Sequence, residues 1–312
     1  MIARTLTRIR TRFHPLHRLR KHRWFRTIAA RLDLPLSVRL RYVDFPVRIR
    51  LVRNATYWLT PQSPEPEILA LFIAMQRVIE PDVFWDVGAN IGIYGWLLKS
   101  LDHQVHVIML EPDPVNCELL KQTRRRTSWL GDVDIRQVAA SSHGGVVEFA
   151  LDPISSATGS VLSDRRTFSE EQYGVIPATI QSASLALDDL GGPRPPKLIK
   201  IDTEGHESEV IAGATATLKT HSPVLVVECF DRDAQALVTL RALGYTLLDA
   251  ERPDLASEQG CSSETTNFLA MPARLLEKLP TLLVVWRETL AQVRSASPSR
   301  RAGSRSGSRL PK

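Results

Sequence analysis

Cysteine is scarce: the chain holds only Cys117, Cys229 and Cys261, odd in number, far apart and without a C-x-x-C pair. That excludes a disulfide framework and a zinc site of the usual spacing, and a reducing compartment, the cytoplasm, is the expected location. Long apolar runs are also missing, since stretches such as Ile68–Met75 and Leu282–Trp286 fall well short of the roughly 20 residues that cross a bilayer. The basic N-terminus lacks a continuous apolar core and a small-residue cleavage site, so secretion by a conventional signal peptide is not expected. Acidic residues are rare at both ends. Residues 1–53 carry fifteen basic and two acidic side chains, residues 294–312 six and none, and residues 54–293 nineteen and thirty-two. The net charge of +6 therefore conceals an acidic body between two basic ends. A composition of 43% hydrophobic and 24% charged residues excludes collagen-like, coiled-coil and wholly disordered chains.

Along the chain, Ile2, Leu6, Ile9, Phe13, Leu16 and Leu19 recur at helical spacing with Arg4, Arg8 and Arg12 off the stripe, and Pro15 breaks or kinks that helix. Val47, Ile49 and Leu51 then alternate with arginines, which predicts a half-exposed strand in a small N-terminal hairpin. PQSPEP at Pro61–Pro66 reads as a linker and Glu67–Ile79 as a buried helix. Beyond it, seven apolar runs predict strands: Val83–Val87, Val105–Leu110, Val133–Val138, Leu198–Ile201, Val224–Glu228, Tyr245–Leu248 and Asn267–Met271. Most are too apolar to face water, as in a parallel sheet covered by helices on both faces. Val146–Leu187 exceeds an ordinary crossover and predicts an inserted hairpin, Val146–Leu151 with Ser182–Leu187, around a mobile loop. The Ser/Arg/Gly-rich tail cannot bury a core. The divisions expected are a basic segment over 1–62, a main domain over 63–280, a C-terminal helix over 281–294 and a disordered tail over 295–312.

Two motifs carry chemistry. In Phe84–Gly92, FWDVGANIG, an apolar strand runs into a glycine turn and then a helix; Gly88 permits the sharp turn and Gly92 close helix packing. The acid Asp86 before the first glycine would repel a pyrophosphate, whereas it suits S-adenosyl-L-methionine, which carries an ammonium and a sulfonium. Glu111, ending the next strand, stands where a ribose would present its hydroxyls. Capping of the following helix by Asp86, and a solvated strand-end charge at Glu111, are the competing structural readings. The second motif, LIKIDTEGHE at Leu198–Glu207, brings Asp202, Glu204, His206 and Glu207 onto one turn at the end of a central strand. An acidic first helical turn explains Glu207 but not Lys200 inside the apolar strand, which is expected to be ion-paired in the site.

These segments resemble the FkbM family of S-adenosyl-L-methionine-dependent methyltransferases over roughly residues 63–272. The likeness rests on DVGANIG with Ala89 and Asn90, Glu111-Pro112 with Asn116, Gln137-Val138-Ala139-Ala140-Ser141, Thr158-Gly159-Ser160, Leu187–Leu190, Lys200–Glu207 and Val227-Glu228. It implies a class I, Rossmann-like methyltransferase fold: an α/β chain with a seven-stranded, mostly parallel sheet whose last strand is antiparallel, here with a small basic N-terminal extension. It also implies methylation of a hydroxyl on a saccharide, glycolipid or other natural product. Gln137 departs from the family's frequent Asn, and the position of His206 varies among members.

An alcohol must lose its proton as it attacks, and His206, Asp202 and Glu204 are the candidates for general base; an exposed histidine at a helix start is the other reading of His206. Asp202 and Glu228 should end adjacent strands and could bridge a divalent ion, or Glu228 could position substrate. Ser156, Thr158 and Ser160 could bind a polyhydroxylated substrate, against ordinary solvated loop chemistry. Other outcomes left open are N- or carboxyl-methylation of a small molecule or peptide, and a non-catalytic scaffold associated with membrane or RNA. The basic N-terminus either lies on the inner face of an anionic membrane or packs on the acidic body. Nucleic acid is disfavoured as a methylation target because the Asp202–Gly205 turn lacks a proline or aromatic to hold a flipped base.

Overall fold

The computed structural model describes residues 22–59, 65–152, 158–162, 170, 175–192, 194–230, 234–254 and 265–295. The expectations for Ile2–Leu19, for most of PQSPEP, for Ser156 and for the tail beyond Ser295 lie outside these residues. Helix α1 (Arg23–Leu32) leads into an antiparallel pair, β1 (Pro35–Arg39) and β2 (Pro46–Arg50). On β2 the alternation places Val47 and Ile49 in the core. α2 (Pro66–Val78) follows, with Pro66 in its first turn, where a missing N–H costs nothing.

The main body alternates strand and helix: β3 (Val83–Val87), α3 (Ile93–Leu101), β4 (His106–Leu110), α4 (Pro114–Arg126) and β5 (Val133–Arg136). Beyond a second, smaller sheet come β10 (Leu198–Ile201), α5 (Glu207–Ala212), α6 (Thr215–His221), β11 (Val224–Glu228), α7 (Gln235–Ala242), β12 (Tyr245–Asp249), β13 (Asn267–Pro272) and α8 (Leu279–Ser295). The seven-stranded sheet has the order β12-β13-β11-β10-β3-β4-β5, and β13 runs antiparallel to both neighbours. This is the class I methyltransferase fold, with the antiparallel last strand expected. Its central strands are largely apolar because both faces are covered: Phe84, Val107, Leu198 and Val226 face one core, and Val83, Trp85, Ile199 and Leu225 the other. Arg124, Arg125 and Arg126 close α4, where positive charge complements the helix carboxyl end.

The third strand differs from expectation. It ends at Arg136 rather than Val138, because Ala139 and Ala140 (β6) leave the main sheet and pair with β9 (Thr179–Leu185). The hairpin predicted in the insertion is present as β7 (Gly145–Ala150) paired with β9. With β6 and β8 (Ser160–Val161) it forms a four-stranded sheet of order β6-β9-β7-β8. No helix among the described residues is long and apolar enough to cross a membrane.

β4 lies on one side of β3 and β10 on the other, so successive crossovers from β3 diverge. That divergence opens a crevice outside the carboxyl ends of these strands.

Candidate active site

A cavity occupies this crevice, lined by Gly88 and Asn90 after β3, Leu110 to Asp113 and Asn116 after β4, Val138 to Ala140, Phe149, Gly159 and Val161 from the second sheet, and Asp202 to Glu204 after β10. Of the residues singled out from sequence, Gly88, Asn90, Glu111, Ala139, Asp202 and Glu204 line it. Asp86, Ala89, Gly92, Gln137, Ser160, His206 and Glu228 are not among the lining residues.

The turn after β3 is built from left-handed residues: Gly88 at φ +75°, Asn90 at +54° and Gly92 at +81°. A Cβ on Gly88 would overlap the carbonyl oxygen of Asp202, and one on Gly92 would stand 2.5 Å from the indole nitrogen of Trp96. The N–H groups of Gly88 and Ala89 both donate to the Leu110 carbonyl, each at 3.0 Å, which binds the turn to the end of β4. Glu111 is then held from two sides. Its Oε2 accepts from Asn90 N–H at 2.6 Å and its Oε1 from Asp113 N–H at 2.9 Å. Burial nevertheless pushes its carboxyl up to about 8, against those two donors. The Asn90 Oδ1 is buried without a hydrogen-bond partner among the described residues. A carboxylate facing the cavity, an unsatisfied amide oxygen and the apolar Val138–Ala140 wall suit a ligand with ribose hydroxyls and an adenine ring, so these residues fit S-adenosyl-L-methionine.

Asp86 has a different place. It is 1% exposed, and its Oδ2 accepts from Gly95 N–H at 3.1 Å, so it satisfies an orphan donor in the first turn of α3 as the capping reading required. Parallel register sets Asp86 directly beside Lys200. Burial raises the Asp86 carboxyl to about 6, opposed first by the Lys200 charge.

The expected ion pair of Lys200 is present. Its Nζ lies 2.7 Å from Asp202 Oδ2 and 5.2 Å from the centre of the Tyr94 ring. Burial works against the ammonium, but the charges of Asp202 and Asp86 overcome it and hold the Lys200 pKa above its ordinary value. Carboxylate oxygens of Asp202, Glu204 and Glu228 lie within 4.8 Å of one another, close enough for a cation. Burial and then the Asp202 charge push the Glu228 carboxyl well above the carboxylate range.

The turn holding these groups is strained and clamped. Glu204 takes φ +55°, a conformation uncommon outside glycine, and Gly205 takes +108°. Buried Glu207 supplies the clamp: its Oε1 accepts from Thr203 N–H at 3.1 Å, Thr203 Oγ1 at 3.0 Å and Gly205 N–H at 3.0 Å. His206 faces elsewhere. Its Nε2 lies 3.0 Å from Ser141 Oγ, and burial lowers its pKa, which favours the neutral ring. Gln137 is exposed, a consequence of the chain leaving the main sheet at that point.

Sequence reasoning missed Asp113, whose Oδ1 caps α4 by accepting from Val115 N–H at 2.7 Å. The Asp-Pro pair was its signal. It also missed Tyr94, whose hydroxyl donates to Glu65 Oε2 at 2.7 Å; Glu65 lies within the stretch read as a linker.

The model of the methyltransferase FkbM domain matches residues 86–247. A hexuronic acid methyltransferase of Haloferax volcanii is 28% identical over 162 residues, which are 52% of this chain and 61% of that protein. The chain thus spans about three fifths of the length of that curated relative. Among solved structures, a methyltransferase FkbM from Methylobacillus flagellatus KT aligns at TM-score 0.41 with 18% identity, covering 61% of this chain and 43% of that one. An O-methyltransferase from Bacillus cereus, in complex with SAH, aligns at TM-score 0.36 with 15% identity, covering 70% and 85%.

Proposed function

The chain belongs to the FkbM methyltransferase domain family, and from that premise we propose that it methylates a hydroxyl oxygen of a saccharide, glycolipid or related natural product. It is a methyltransferase, and its cofactor is S-adenosyl-L-methionine. The observation that carries the finer reading is the carboxylate group Asp202, Glu204 and Glu228, of which Asp202 and Glu204 line the same cavity as Glu111. The similarity to a hexuronic acid methyltransferase supports a sugar acceptor.

When bound, the cofactor supplies a methyl carbon already activated by a sulfonium. The chain's own residues then have two tasks. Glu111, fixed by the Asn90 and Asp113 amides, holds the ribose, so that the reacting carbon is positioned before the acceptor arrives. Asp202 and Glu228 receive the hydroxyl proton. Burial, and after it the Asp202 charge, raises the proton affinity of Glu228 above that of an ordinary carboxylate. Lys200 keeps Asp202 in place and balances the negative charge of the site. The proton acceptor is therefore the carboxylate pair rather than His206, which bonds Ser141.

The test is turnover of glycan and glycolipid acceptors beside calorimetry of S-adenosyl-L-methionine. Asp202→Asn and Glu228→Gln are expected to lower kcat by 10² or more, the usual size of a lost general base, while cofactor affinity stays within about threefold. Wild-type turnover in both variants would remove the carboxylate pair from the reaction.

A further inference from the structure

Of the side chains described on α1, most are exposed. Trp24 is 59% exposed, Ile28 49% and Leu32 54%, with Leu34 just beyond at 63%. Spaced four apart, the first three form one apolar stripe. Among helix positions whose side chains are described, only Ala29 is partly covered. The charged residues of the helix are Arg23 and Arg26, away from the stripe, and Arg31, which borders it one turn from Ile28. From Met1 to Leu32 the chain has ten Lys and Arg and no acidic residue.

The carboxyl end of this helix is fastened to the turn that follows β2. Asp33, its C-cap residue, accepts from Val52 N–H at 2.9 Å and Arg53 N–H at 3.0 Å, and pairs with Arg53 Nε at 2.9 Å. The Arg53 charge in turn acts on Asp113, a residue of the cavity wall.

Trp, Ile and Leu in one stripe, arginines beside and behind it and no acid is the make-up of a helix that lies in a membrane interface. We infer that α1 docks on an anionic phospholipid surface, with Trp24, Ile28 and Leu32 entering the acyl boundary and the arginines meeting lipid phosphates. A nucleic acid would satisfy the arginines but leave the aliphatic stripe in water. A second copy would cover the stripe but set two acid-free basic segments against each other. Docking stands on the helix alone; only its consequence, access to a membrane-borne acceptor, rests on the proposed reaction.

The experiment is flotation of the full-length protein with vesicles of phosphatidylcholine alone or mixed with phosphatidylglycerol. Binding is expected to the mixed vesicles only and to weaken as salt is raised. Ile28→Glu with Leu32→Glu should abolish it. Replacing Arg23, Arg26 and Arg31 by Ser should lower partitioning roughly a hundredfold, at about fivefold per arginine. Because the altered residues belong to α1 and none lines the cavity, cofactor affinity and melting temperature should not change in either variant, and turnover of a soluble acceptor reports separately on the reaction. Failure of the wild type to float with anionic vesicles would overturn the inference. So would undiminished binding by the double glutamate variant, which would assign attachment to basic charge alone. Concentration-dependent dimerisation that this variant abolishes, without vesicle binding, would also overturn it in favour of a second copy.

Discussion

Gly88 and Asp202 meet backbone to backbone: a side-chain carbon on Gly88 would occupy the place of the Asp202 carbonyl oxygen. Asp202 N–H donates to the Val87 carbonyl at 3.1 Å, so the cofactor turn and the acidic turn are laid against each other by the β3–β10 pairing. The glycine is thus needed where two parts of the site adjoin, beyond any approach to a ligand. Gly88→Ala should therefore cost more than the 1–2 kcal/mol of a left-handed alanine, about 3 kcal/mol in all. Denaturant unfolding measures the loss, and cofactor affinity should fall with it. A stable variant of unchanged affinity would show that the turn can move aside.

Lys200 is the cation around which Asp86, Asp202 and Glu228 are arranged. Lys200→Met keeps most of the apolar stem but leaves three carboxyls without compensation. A stability loss on the order of 3 kcal/mol is expected, since breaking one partner of a buried pair strands the other. The carboxyls should also hold protons more tightly, so the acid limb of the kcat profile should shift to higher pH. An unshifted profile would place the lysine outside the proton-transfer network.

Glu111 makes cofactor binding depend on pH. Its ordinary pKa of 4.5 is raised to about 8 in the folded protein by burial, whereas the ribose hydroxyls it would accept from require the ionised form. Affinity for S-adenosyl-L-methionine should therefore fall as pH drops below about 8, approaching tenfold per unit, and Glu111→Gln should flatten the dependence. Stability of the free protein runs the opposite way. The folded state binds this proton more tightly than the unfolded state, so the contribution is full below pH 4.5 and is lost as pH rises through about 8. Calorimetry and thermal melts across that window read the two slopes.

The strands were legible because burial on both faces writes them as apolar runs, and Gly88, Glu111 and Asp202 because their turns follow such strands directly. What pairing across the sheet creates was not legible. Lys200 reads as an anomaly until register sets it beside Asp86. Of the second sheet the β7–β9 pairing was legible, whereas β6 and β8, of two residues each, are too short to leave an alternating pattern. Gln137 seemed to belong to the third strand, but that strand ends one residue earlier as the chain changes sheets. For His206, sequence could not tell which side of the turn it takes; its bond to Ser141 comes from the chain that leaves β6.

Glu207 is the residue of the acidic turn whose role is mechanical. One of its oxygens gathers Thr203 and Gly205, the residues flanking Glu204 in its left-handed conformation. Strain of that kind persists only when the surroundings over-determine it. Glu207→Ala removes three bonds to a buried, charged acceptor and should destabilise by about 3 kcal/mol. It should also lower kcat more than it raises the cofactor KM, because Glu204 is freed while Glu111 and Asn90 are untouched. Glu207→Gln retains an amide oxygen in the same position and should restore much of both losses. That rescue separates a clamp from a proton carrier: if Glu207 itself moved the proton, the glutamine variant would be as inactive as the alanine one. A kcat profile for Glu207→Gln that keeps the wild-type acid limb would complete the assignment, leaving proton transfer to Asp202 and Glu228.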